Sequence, residues 1–135
     1  MYNRNSYFDD FFNTFLEPDE TYGYYFYNMK FAPLTDYLLY QTMAPLLNKH
    51  LIVCFTNKRI ILCEMDGVTG KLTDNIAAID INDVKDITIK KGLMKTNVKL
   101  VFSDNSAVSF TPNNICIGLS RHKENLHKLQ ELYSA

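Results

Sequence analysis

Apolar positions recur along this chain in two rhythms, a helical one at both ends and a two-residue one between them. Near the start, Phe8, Phe11, Phe12, Phe15 and Leu16 fall at i, i+3, i+4, i+7 and i+8, which gathers them on one stripe and predicts a helix over about 6–16. Ser6 and Asp9 have capping-box spacing, and Pro18 closes the segment. At the other end Leu119, His122, Leu126, Leu129 and Tyr133 follow the same spacing, with Leu132 widening the stripe. Lys123, Glu124, Lys128 and Glu131 take the outer surface, and either Asn114 or Ser120 serves as the cap.

The interior reads as strands. Residues 20–29 form an aromatic, β-prone run with Gly23 near its start. Residues 33–47 are apolar on most sides and read as a buried or half-buried helix, with an interfacial helix on a membrane as the alternative. Leu51 to Cys63 then gives two apolar runs folded back at Thr56-Asn57-Lys58-Arg59, a hairpin in which Asn57 supplies a left-handed turn. If Thr56 faces Arg59, Ile52 opposes Cys63 and Cys54 opposes Ile61. Both faces of this hairpin are apolar, so it is covered on both sides and central. A short strand at 76–79 follows, then a polar turn at 80–84 and an alternating strand at 86–90 with Ile87 and Ile89 inward. Residues 98–102 and 107–110 form a second hairpin around Asp104-Asn105, in which Ser103 facing Ser106 would set Val101 against Val108 and Lys99 against Phe110.

Composition narrows the function classes. A length of 135 residues suits one domain, 1–135, with its core over about 20–135. A formal charge of −1 supplies no global field toward nucleic acid or anionic lipid, so any electrostatic partner must be read locally. The tyrosines at 22–27 lack the basic groove of a stacking platform, so no nucleic-acid partner is expected. Cys54, Cys63 and Cys116 are an odd number without metal spacing, expected as reduced core residues. The opening residues lack a leader pattern, and a cytoplasmic, possibly membrane-peripheral, location is the expectation.

No catalytic pattern stands out. His50, His122 and His127 have no partners at metal-ligand spacing, Gly67 to Gly70 is not a phosphate loop, and Asp80, Asp83 and Asp86 lack the order of a calcium loop. No enzyme, metal, cofactor or small-molecule substrate is expected. Two contact surfaces are. Lys90, Lys91, Leu93, Met94 and Lys95 place two apolar side chains among three lysines at a hairpin tip, suited to an anionic membrane or a partner. Phe8, Phe11, Phe12 and Phe15 form a bulky face that either covers the domain's own core or docks on another subunit.

Phe55-Thr56, Arg59-Ile60-Ile61-Leu62, Ile79 and the step Ile81-Asn82-Asp83-Val84, followed by the closing helix, resemble the bacterial pleckstrin-homology-like domains, a group related to GRAM and YokE-like modules. The resemblance covers about 50–133 and implies an α+β, mainly β fold. That fold is a partly open barrel of two antiparallel sheets capped by a C-terminal amphipathic helix, here with an added N-terminal helix and a helical insertion near 33–47. It also implies a non-catalytic intracellular interaction module, expected to bind protein or itself. The alternative is a peripheral membrane or lipid-binding module using the tip at 90–95. Thr56 and Arg59 are read as architecture.

Overall fold

The computed structural model describes residues 5–29, 32–33, 43–46, 48–116 and 119–133. A helix α1 (Asn5–Asn13) precedes eight strands and a closing helix α2 (His122–Tyr133). The strands are β1 (Tyr24–Asn28), β2 (Ala32–Pro33), β3 (Leu51–Phe55), β4 (Arg59–Met65), β5 (Leu72–Asp80), β6 (Val84–Lys91), β7 (Thr96–Phe102) and β8 (Ala107–Phe110). They form two antiparallel four-stranded sheets, ordered β1-β3-β4-β5 and β2-β8-β7-β6. The sheets do not close on each other, and the architecture is the partly open, pleckstrin-like one that the resemblance implies.

The two-sided hairpin explains the layering. Leu51, Val53, Phe55, Ile60 and Leu62 face the main core between the sheets, with Val98, Leu100, Phe102, Val108, Phe110 and the α2 residues Leu126 and Leu129. Ile52, Cys54, Ile61 and Cys63 face the other way, into a second cluster with Phe8, Phe12, Tyr25 and Leu119. Ile52 opposes Cys63 and Cys54 opposes Ile61, as the turn position requires. Leu119 thus joins the outer layer beside α1 and not the stripe with which α2 covers the sheets. The aromatic strand is ordered at its entry by Gly23, where a Cβ would lie 1.9 Å from the Phe55 carbonyl oxygen.

Several boundaries differ from the sequence pattern for identifiable reasons. Helix α1 ends at Asn13, because Thr14 and Phe15 turn off with bonds to the carbonyls of Phe11 and Phe12 and the Thr14 hydroxyl also donates to the Phe11 carbonyl. Strand β5 is longer than 76–79, pairing from Leu72 through an irregularity between Cys63 and Met65. Asn57 is not left-handed. The first hairpin is closed instead by the Thr56 hydroxyl, which accepts from the backbone N–H groups of Lys58 and Arg59. In the second hairpin Phe102 faces Ser106, not Ser103, because Asn105 takes the left-handed conformation at φ 70° in a three-residue loop. The register therefore moves by one, pairing Leu100 with Val108 and Val98 with Phe110. That slip puts apolar residues opposite apolar residues on the core side, which the expected pairing of Lys99 with Phe110 did not. The helix expected over 33–47 lies mostly outside the described residues. Within it, Pro33 is in β2, Ala44–Leu46 is a single 3-10 turn, and Met43 and Leu46 are buried in the main core.

Candidate interaction site

The tip between β6 and β7 is held from beneath by a side chain that the sequence pattern offered as a helix cap. Asn114 donates through Nδ2 to the carbonyls of Gly92 (3.1 Å) and Leu93 (3.3 Å), while its Oδ1 accepts from the Thr96 hydroxyl at 2.7 Å. Its backbone N–H donates to the Met94 carbonyl, Thr96 N–H donates to the Pro112 carbonyl, and Lys95 pairs with Asn113. Helix α2 begins later, at His122, and Ser120 accepts from the Asn5 side chain. The tip is consequently built on the 111–116 segment, and Gly92 permits its closure, since a Cβ there would lie 2.8 Å from the Lys95 carbonyl.

With its polar backbone satisfied inward, the tip turns its side chains outward. Leu93 is 98% exposed, Met94 76% and Ile115 69%; Ile115 follows the clamping Asn114 directly. Lys90, Lys91 and Lys95 are exposed and join no ion pair among the described residues. Neither 87–103 nor 105–123 contains a carboxylate, and Glu124 lines a hollow beside Lys91. Lys90, Lys91, Leu93, Met94 and Lys95 are all exposed around the tip, and the neighbouring Ile115 is exposed as well. Ile115 carries no signal in sequence because its neighbours show no periodicity; the bonds of Pro112, Asn113 and Asn114 to the tip bring it there.

Two hollows flank the tip. One, of about 420 Å³, lies toward α2 and is lined by Lys91, Thr96, Lys123 and Glu124 among others. The other, of about 600 Å³, lies toward β1 and is lined by Asn28, Asn48, His50, Lys95, Thr111 and Asn113, with Met29 and Ile115. His122 at its wall is architectural. Its Nδ1 accepts from Tyr27 N–H and its Nε2 meets the Asn113 carbonyl at 2.6 Å, which fixes the neutral Nε2–H form. Burial holds its pKa below the usual imidazole value.

The phenylalanine face divides. Phe8 and Phe12 are fully buried on the outer face of the first sheet, Phe8 edge-on to Tyr25 at 5.8 Å. Asn5 accepts from the Tyr25 hydroxyl, Asp9 pairs with Arg121 and accepts from the Tyr22 hydroxyl, and Tyr7 accepts from Leu72 N–H. Only Phe11, half-buried, and Phe15, 40% exposed, reach the surface. The expected four-residue docking face is reduced to two because the first sheet needs the other two as cover.

Glu20, which no pattern marked, has a fully buried side chain. It receives Arg59 at 2.7 and 2.9 Å and the Thr56 hydroxyl, and it accepts from Glu17 N–H at 2.9 Å. The Arg59 hydrogen bonds hold its carboxyl at about 2, against the desolvation that would raise it. Thr56 and Arg59 accordingly tie the first hairpin to the segment after α1. Cys54 and Cys63 are buried and free, and burial pushes both thiols up, Cys63 to about 12. Among the described residues, no group of three His, Cys, Asp or Glu side chains is arranged to hold a metal, and no helix is long and apolar enough to cross a membrane.

Comparison with known proteins agrees with the topology. The chain resembles the hSac2 domain from human phosphoinositide phosphatase Sac2 at a TM-score of 0.51 and 10% identity, covering 95% of this chain and 77% of that one. It also matches the pleckstrin homology domain of USP37, with a TM-score of 0.40, 10% identity, and 86% and 91% covered. No curated protein matches. The family model described as "Bacterial PH domain" matches residues 16–118, a span that excludes both α1 and α2. PH domains are generally non-catalytic modules that mediate interactions, and this chain belongs to the bacterial PH domain family.

Proposed function

We propose that this chain is a non-catalytic module that docks on an anionic membrane surface through the tip at 90–95. The observation that carries the reading is the pairing of Leu93, almost wholly exposed, with three lysines that join no ion pair among the described residues, around a loop whose backbone is clamped by Asn114. A solvated loop gains nothing from presenting Leu93, Met94 and Ile115 to water. At a bilayer those side chains enter the headgroup boundary while the lysines meet anionic headgroups. Each lysine contributes about 1 kcal/mol there. Replacing Lys90, Lys91 and Lys95 together by glutamine should weaken vesicle binding by about a hundredfold. Flotation with vesicles containing anionic lipid, at low and high salt, measures it; absence of binding by the native chain at low salt overturns the reading.

A second reading, self-association through α1, keeps support from Phe11 and Phe15, whose rings meet at 5.1 Å in a tilted contact at the surface. It expects an oligomer that Phe11→Ser with Phe15→Ser converts to a folded monomer. A monomeric native chain in light scattering ends it.

A further inference from the structure

Beside the tip, the 600 Å³ cleft contains an unused donor. Asn28 is 1% exposed, its Oδ1 accepts from Thr111 N–H at 3.1 Å, and its Nδ2 has no hydrogen-bond partner among the described residues. The Thr111 bond fixes which end of the amide is nitrogen, so the orphan is a donor and calls for an acceptor. A buried donor left unmade is destabilising, and a bound acceptor removes that cost. Among the described residues that line the cleft, Asn48, Thr111 and Asn113 offer neutral hydrogen-bonding groups, Lys95 carries a positive charge, and none is a carboxylate.

The mouth of this cleft is apolar. Met29, 60% exposed, and Ile115 lie on its rim, and Met94 and Leu93 follow through the Asn114 and Lys95 contacts. Four of the seven exposed large apolar side chains among the described residues therefore sit at this end of the molecule. Acceptor-seeking depth, one positive charge and a greasy rim together describe a lipid headgroup entered from a bilayer.

We infer that the cleft is a headgroup subsite for a phospholipid bearing a single phosphodiester and free hydroxyl groups, a glycerol-type headgroup. The phosphate takes Lys95 and Asn28 Nδ2, and the hydroxyls take the neutral amide and hydroxyl side chains. Among the described residues a single lysine lines the hollow, which suits one phosphate better than several. This rests on the membrane reading above and shares Lys95 with it, while Asn28 and Thr111 belong to the cleft alone, so the two can fail separately.

The test uses the intact chain labelled with 15N. Soluble glycerophosphoglycerol, without acyl chains, should shift the Asn28 side-chain amide and the Thr111 backbone amide, whereas glycerol alone should not. Thr111→Val and Lys95→Gln, both at exposed positions, should each weaken that binding about five- to tenfold, the loss of roughly one hydrogen bond. On vesicles of equal anionic charge, phosphatidylglycerol should bind more tightly than phosphatidic acid or phosphatidylserine. Thr111→Val should remove that preference while leaving charge-driven binding. Leu93→Ser with Met94→Ser should weaken all vesicles alike and leave the soluble titration unchanged. An Asn28 amide that does not move, meaning that water alone satisfies it, overturns the proposal. So does equal affinity for inorganic phosphate, which makes the cleft a free-anion site, and so does binding ordered by charge alone.

Discussion

Two hairpin corners of this molecule solve opposite problems with similar parts. At the β3–β4 corner the polar groups point inward: Thr56 and Arg59 converge on the buried Glu20, and the chain after α1 is tied to the sheet. At the β6–β7 tip the polar bonding again points inward, through Asn114, but the side chains that project are Leu93 and Met94. The first corner uses its polar side chains to hold the fold; the second is held by bonds from another segment and so leaves its own side chains exposed. Lysine near a tip is thus a weaker sign of a contact surface than an apolar residue that the fold does not need.

The largest expected difference between the corners is in stability. Glu20→Ala removes the acceptor of two Arg59 bonds and the Thr56 hydroxyl, and it should cost about 3 kcal/mol in urea unfolding. A loss below about 0.5 kcal/mol, the usual range for an indifferent surface change, would sink the architectural assignment. The same carboxylate sets an acid limb. Its folded value of about 2 lies below its ordinary 4.5, so its contribution is fully present above pH 4.5 and is lost as pH falls toward 2. The full shift amounts to about 3 kcal/mol, and Glu20→Gln should flatten that limb in a pH series of unfolding midpoints. His122 acts in the same direction at higher pH. Its buried ring is held neutral, so its contribution is present above about 6.5 and declines as pH falls below it.

A weaker effect is expected from the clamp. Asn114→Ala leaves the Thr96 hydroxyl and the Gly92 and Leu93 carbonyls without their partner, and a cost of about 2 kcal/mol follows if water does not replace it. Amide exchange should quicken at 92–96 and remain slow in β3 and β4. Uniform quickening across both hairpins would mean that Asn114 supports the domain and not the tip.

What could be seen in advance follows from the range of the interactions concerned. The β3–β4 register was legible because both strands are apolar on both faces and the corner is four residues long, so local geometry decides it. The β7–β8 register was not, because whether Asn105 adopts φ 70° depends on which loop the two strands jointly favour. The tip lysines, Leu93 and Met94 were visible as a pattern, yet Ile115, Asn114 and Asn28 were not, since each acts across a long sequence separation. Asn28 and Thr111 are joined by one bond between β1 and the end of β8. Glu20 escaped for the same reason: its partners lie at 56 and 59, and a lone glutamate before an aromatic run carries no periodic signal.

The smallest stability effect is expected where the contact effect is large. Leu93→Ser with Met94→Ser removes two side chains that touch water on nearly every side, and the unfolding midpoint should stay within about 0.5 kcal/mol of native. Vesicle affinity should nevertheless drop at least about tenfold, because each inserted apolar side chain contributes roughly 1.5–3 kcal/mol when removed from water, less whatever remains at the interface. Calorimetry and flotation on one preparation measure both numbers. If stability falls while binding holds, Leu93 covers the barrel rim in solution and the tip belongs with the β3–β4 corner, as one more piece of the fold.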